Sequence, residues 1–121
     1  MPTITDCITL QSSSTTLAFP TGDRDFTLAE FDAPAANLDA RGVLMFRVVP
    51  VVGDGSVKLK WTLNETVVSD ITYRSDMGRT WHEIYEGDIL RLQDNELKAE
   101  LTAGNGSVTF SDVVVYFQAN I

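Results

Sequence analysis

One cysteine and one histidine are this chain's whole supply of the two residue types that dominate soft-metal ligation and activated nucleophiles. With Cys7 alone no disulfide forms within the chain, so its core must hold the fold, and a reducing compartment is compatible with that. Basic residues are scarce too: 9 against 17 acidic ones, a net charge of −8, which repels polyanions. Nucleic acid and anionic membrane are therefore not expected as partners. The local basic spot at Arg74 and Arg79 is read as solvated surface rather than a phosphate site. Long apolar runs are missing as well. The best candidates, residues 48–52 and 113–117, are strand-sized, far short of the roughly 20 residues that cross a bilayer. Residues 1–6 have neither a basic region nor a continuous apolar stretch, so no secretory signal is read and a soluble protein is expected. A mature fragment of a longer precursor would look the same, and the location stays open. No internal repeat or low-complexity segment is present.

What the chain does have is alternation. Val57, Leu59, Trp61 and Leu63 against Lys58, Lys60 and Thr62 form its cleanest period-two pattern, a strand with one buried and one wet face. Residues 3–10 and 15–19 read as strands, the second stopped by Pro20-Thr21-Gly22-Asp23, and residues 26–31 as a weaker one. Residues 43–52 are almost continuously apolar, which predicts a strand covered on both faces until Pro50 bends it or puts it at an edge. Gly53-Asp54-Gly55 then predicts a hairpin into residues 57–63. Asn64-Glu65 turns the chain into a strand at 66–73. A polar loop at 74–78 leads to a strand at 79–86 with Trp81, Glu83 and Tyr85 on one side and His82, Ile84 and Glu86 on the other. Leu97, Ala99 and Leu101 mark the next strand, and Gly104-Asn105-Gly106 predicts a last hairpin into residues 108–117. The one helical expectation is a connector of one or two turns within residues 32–42, capped by Asp32, packed by Leu38 and ended by Gly42.

At 121 residues the chain fits one domain, 1–121, with a single core. Eight or nine short strands, regularly punctuated, predict an all-β antiparallel β-sandwich. Asn64-Glu65-Thr66 and Asn105-Gly106-Ser107 match the glycosylation sequon but are read as turn chemistry.

The succession Trp61-Thr62-Leu63-Asn64, Arg79-Thr80-Trp81-His82-Glu83-Ile84, Gly87-Asp88-Ile89-Leu90 and Asn95-Glu96-Leu97 resembles the galactose-binding-like jelly rolls, including the sugar-binding half of some glycosidases. The resemblance covers residues 57–103. Here Asn64 is followed by Glu65 where those folds commonly have Asn-Gly. It implies jelly-roll topology and, for function, either a lectin-like module or one used for spacing and docking; some members of the family hold a structural calcium near their N-terminal loops.

Candidate sites follow from residue types. Sugar recognition needs a flat ring against a pyranose face and a few polar groups for its hydroxyls. Trp81 with Tyr73, Asp76, Arg79 and His82 gathers these around one loop and is the expected ligand-binding set. The competing reading puts Trp81 and Tyr85 in the core, where Trp61 already belongs. Asp23 and Asp25, with Asp32 nearby, form the best oxygen-ligand set for a structural Ca²⁺, against the reading of a solvated acidic turn; no other cofactor is expected. His82 and Glu83 are adjacent on a strand and point apart. No serine has a nucleophile-elbow context, so no catalytic residue is assigned and a non-enzyme is expected. The chain is thus read as a non-catalytic binding module with a carbohydrate or protein partner. The alternative is a structural or assembly subunit of a larger oligomeric particle, such as a virion or surface assembly. That second reading rests on the acidic balance, the missing export signal and the final strand, where Val113, Val115 and Phe117 take one face and Val114 and Tyr116 the other, so that either a second layer or the N-terminal strand covers both faces or one is left for a homo-oligomer contact.

Overall fold

The computed structural model describes residues 2–121. Nine strands form: β1 (Thr3–Gln11), β2 (Thr15–Phe19), β3 (Asp25–Thr27), β4 (Gly42–Val51), β5 (Val57–Leu63), β6 (Thr66–Tyr73), β7 (Arg79–Tyr85), β8 (Leu97–Gly104) and β9 (Gly106–Asn120). A five-stranded sheet has the order β1-β9-β4-β7, with β2 also on β9, and a four-stranded sheet has the order β3-β8-β5-β6. All pairings are antiparallel. The two sheets form a jelly-roll β-sandwich, as the alternation and the resemblance predict.

Alternation sets which side chains meet between the layers. Leu44, Phe46 and Val48 of β4 and Val108, Phe110, Val113 and Val115 of β9 point inward from one sheet, and Val57, Leu59, Trp61, Leu63, Leu97, Ala99 and Leu101 from the other. Trp61 is the centre of this core, with ring centroids 4.8 Å from Phe46 and 5.0 Å from Phe110. Outside, the four-stranded sheet carries Lys60 opposite Glu100 and, on diagonals, Lys58 with Asp70 and Lys98 with Asp25, ion pairs of 3.3, 3.5 and 4.0 Å on a wet face. Each contributes about 0–1 kcal/mol at such exposure.

β9 is the spine of the larger sheet. β1 and β2 lie end to end along one of its sides and β4 along the other. Asp112, at φ 52°, lies where β9 carries an extra residue against β4, Met45 and Arg47 pairing with Val114 and Ser111; on the other side the extra residue is in β1, where Thr9 and Gln11 pair with Val114 and Val113.

Several sequence expectations are corrected. β4 and β5 do not form a hairpin, nor do β8 and β9: in each pair the strands belong to different sheets, so the glycine-rich segments between them are crossings. Turn residues supply backbone freedom but do not choose the partner strand. Gly104, at φ +104°, makes the second crossing, and a Cβ there would overlap the Ser56 carbonyl oxygen. Residues 32–42 contain no helix. Two local turns, Ala36 N–H to Ala33 and Ala40 N–H to Asn37, alternate with bonds to other elements, Ala33 N–H donating to Leu92, Asn37 to Gln118, and Asn120 back to the Ala35 carbonyl, so the segment is tied across the sandwich end. The helical element described is a single 3₁₀ turn at Gly87–Ile89. Of the expected strand at 26–31 only Phe26 and Thr27 pair as a strand, within β3, Phe31 meeting Asn95 through an isolated bridge. β4 is buried on one face only, and Pro50 lies beyond Val48, its last partner to β7.

Candidate functional site

β7 ends the larger sheet and β6 the smaller one, and they lie at the same side of the sandwich, joined by residues 74–78. Odd-numbered residues of β7 face inward, so Arg79, Trp81, Glu83 and Tyr85 line this open side. The Trp81 indole stands edge-on to the Tyr73 ring at a centroid distance of 5.8 Å and an interplanar angle of 83°. Its Nε1–H donates to Glu83 Oε1 at 2.7 Å, and the Ser69 hydroxyl, on β6, donates to the same oxygen at 3.2 Å. One carboxylate thereby ties the indole to both sheets.

Arg79 lies over the indole, its Cζ 5.9 Å from the ring centroid, at the outer range of a cation–π contact. Its Nη2 donates to Ser75 Oγ at 3.3 Å. The Arg79 Nε and the Tyr73 hydroxyl are buried with no hydrogen-bond partner among the described residues. Burial pushes the Tyr73 phenol well above its ordinary pKa, with the Arg79 charge opposing and the Glu83 charge adding to the rise. Tyr73 is therefore a neutral hydroxyl donor at any physiological pH. Ile71, Thr72, Tyr73, Arg74, Ser75, Arg79 and Trp81 enclose a cleft of about 260 Å³. That lies just under the roughly 300 Å³ where pockets for drug-sized ligands begin, so it takes one small ring or the end of a chain.

The structure therefore unites three of the five residues singled out from sequence. Asp76 is elsewhere occupied: its Oδ1 accepts from the backbone N–H groups of Val52 at 2.7 Å and Gly53 at 3.2 Å, clasping the β4–β5 crossing. His82 faces the opposite side of β7, because neighbouring strand residues alternate. There it lines a groove of about 320 Å³ on the outer face of the larger sheet, with Thr5, Arg41, Val43, Met45, Tyr116 and Gln118 among its walls. Trp81 itself is only partly buried, packed on the core by one side and open to the cleft by another.

Among the described residues no three His, Cys, Asp or Glu side chains are grouped to hold a metal ion, Asp23, Asp25 and Asp32 included. Asp25 faces Lys98, and Asp32 Oδ1 accepts from Asp94 N–H at 3.0 Å. Sequence reasoning missed Ser69, Thr72, Ser75 and Glu83. Glu83 was discoverable from parity, since it stands two residues after Trp81 on the same strand face.

Asn64 confirms the turn reading of its sequon. Its amide donates to the Ile89 carbonyl and to Asn95 Oδ1, both at 2.8 Å, and its Oδ1 accepts from Glu96 N–H at 2.8 Å. Every helix described is too short to cross a membrane.

No protein-family model matches the chain, and no curated protein sequence does. Solved structures share its fold. Dimeric latent PorU from Porphyromonas gingivalis superposes with a TM-score of 0.75 over 99% of this chain at 9% identity. The chain spans only 13% of that protein's length. A family 35 carbohydrate binding module from Clostridium thermocellum gives a TM-score of 0.59 at 15% identity, covering 93% of this chain and 98% of the module. The CBM36-1 domain of a multidomain xylanase from the hindgut metagenome of Trinervitermes trinervoides gives 0.58 at 8% identity, covering 98% and 100%. At these identities the likeness is one of fold, the jelly-roll β-sandwich.

Proposed function

We propose that this chain is a non-catalytic carbohydrate-binding module and that the cleft between β6 and β7 is its saccharide site. The observation that carries the reading is the pair of buried, unpartnered polar atoms, Tyr73 Oη and Arg79 Nε, on residues that wall a cleft with an indole ring. A buried polar group without a partner costs about 1–3 kcal/mol, and a ligand hydroxyl reaching it removes that cost. Thr72 and Ser75 add two hydroxyls that both donate and accept. Two solved modules with this fold are described as carbohydrate-binding, which supports the same class of ligand here.

The test uses the two tryptophans. Trp61 is fully buried in the core, so its indole N–H resonance is an internal reference. Titrating the ¹⁵N-labelled protein with a panel of oligosaccharides is expected to shift the Trp81 indole and Arg79 Nε signals and leave Trp61 in place. A panel that moves neither signal at millimolar sugar would end the proposal.

A homo-oligomeric assembly subunit is the second reading. It is favoured by the row Val43, Met45, Val114, Tyr116 on the outer face of the larger sheet, where Val114 is 8% exposed although the described residues form no further layer over it. Light scattering across dilution tests it, and a constant monomer mass rejects it.

A further inference from the structure

The charge of the cleft points to a narrower ligand class, and the inference rests on the saccharide reading above. Two of the chain's nine basic residues, Arg74 and Arg79, wall this one cleft, and no acidic residue does. Of the other seven basic residues, Arg41, Lys58, Lys60 and Lys98 each face a carboxylate within 4.0 Å, Arg91 walls a concavity with Glu30, Glu65, Asp94 and Glu96, and Arg24 and Arg47 form no ion pair among the described residues. Arg74 and Arg79 form no ion pair among the described residues. The nearby acids already have partners, Glu83 on the same face of β7 as Arg79 and Trp81. Glu83 is engaged by Trp81 and Ser69, Asp76 by the Val52 and Gly53 amides, and Asp70 by Lys58. A chain of net charge −8 thus keeps two free guanidinium groups at one small concavity, one of them with a buried Nε that has no acceptor.

We infer that the cleft takes an acidic saccharide, with a uronic acid carboxylate seated between Arg74 and Arg79 and its sugar ring against Trp81. A guanidinium offers parallel N–H donors that match a carboxylate, and such charge-assisted pairs are about twice as strong as neutral hydrogen bonds. The Tyr73 hydroxyl, held neutral by burial, remains available as a donor to the sugar without opposing the anion. A neutral saccharide can meet the Arg79 Nε with a hydroxyl but brings no charge to the guanidinium, so an acid gains more from this cleft than its uncharged counterpart.

Calorimetric titration of the full chain with tri-galacturonate, with the neutral galactotriose, and with sodium sulfate tests this. Tri-galacturonate is expected to bind at least about tenfold tighter than galactotriose, and to weaken as salt rises from about 0.05 to 0.5 M. Arg79→Gln is expected to remove about tenfold or more of that affinity. Arg74→Gln, at an exposed position that leaves packing alone, serves should the Arg79 variant misfold, and is expected to weaken the acid by a larger factor than it weakens galactotriose. Equal affinity for both trisaccharides, indifferent to salt and to Arg74→Gln, would overturn the inference while the saccharide reading stands. Binding of neither trisaccharide would overturn both. Sulfate binding as tightly as tri-galacturonate would reduce the cleft to a simple anion site and overturn the inference.

Discussion

At Asn95 every polar atom of the side chain is in use, although the residue is 0% exposed. Its Nδ2 donates to the carbonyls of Phe31 at 3.1 Å and Arg91 at 2.7 Å, and its Oδ1 accepts from Arg91 N–H and Asn64 Nδ2, both at 2.8 Å. Three chain segments meet in that one amide. Asn95→Leu deletes all four bonds and takes their side-chain partner from the Arg91 N–H and carbonyl, while Phe31 keeps the Asn95 N–H and Asn64 keeps Ile89, and it is expected to lower the unfolding free energy by about 2–3 kcal/mol, read from urea melts at unchanged m-value. Glu65 is the opposite case. It sits at φ 72°, next to Asn64 at φ 48°, so both residues of the β5–β6 turn are left-handed, the geometry that favours Asn-Gly. Glu65→Gly removes that strain and is expected to gain about 0.5–1 kcal/mol after the extra entropy of glycine in the unfolded chain. The sequence shows Asn64 as a turn residue but not the strained partner, because a glutamate carries no sign of a left-handed backbone.

At the scale of elements, strand identity was legible and strand partnership was not. Val57, Leu59, Trp61 and Leu63 declare a buried face whichever neighbour the strand has, and the structure buries all four. Gly53-Asp54-Gly55 reads the same whether the chain returns beside itself or passes to the other layer. What distinguishes the crossing is Asp76, 23 and 24 residues further on, which accepts from Gly53 and Val52. Asp76→Ala is therefore expected to cost about 1.5–3 kcal/mol of stability, and Asp76→Asn, which keeps one acceptor oxygen, less. Saccharide affinity per folded molecule should stay unchanged in both, which separates a clasp from a ligand contact. At the second crossing, Gly104→Ala must place a Cβ against the Ser56 carbonyl at φ +104°, and a loss of about 2–4 kcal/mol in thermal or urea unfolding is expected. The same division explains the candidate site. Arg79, Trp81 and Glu83 share a strand face and were readable as a group. Ser69 joins them from a different sheet, and His82, one residue from Trp81, is removed by the pleat.

Across the whole molecule, the open side of the sandwich is closed by two tyrosines, Tyr73 at the end of β6 and Tyr85 at the end of β7, each 3% exposed. The Tyr85 hydroxyl donates to the Tyr116 carbonyl at 2.8 Å, and its ring crosses Gly42 so closely that a Cβ there would overlap it. Burial raises both phenols above their ordinary value of 10.0, since a phenolate between the sheets would be stranded away from water. The sign of the linkage follows. The folded state holds these protons more tightly than the unfolded state, so the stability they contribute is complete below the unfolded pKa and is lost as pH rises beyond it toward the folded values. Unfolding free energy is thus expected to be flat with respect to these groups through neutral pH and to fall above about pH 10. Tyr73→Phe keeps the ring against Trp81 and deletes a hydroxyl that has no partner in the described structure, so it should cost little at pH 7 and soften the alkaline decline. Tyr85→Phe also loses the bond to Tyr116, and should be less stable than the parent at pH 7 by about 0.5–1.5 kcal/mol while softening the decline in the same way. Urea melts from pH 7 to 11 on the parent and both variants measure this. An alkaline slope identical in all three would show that the phenols are not what seals the sandwich against base.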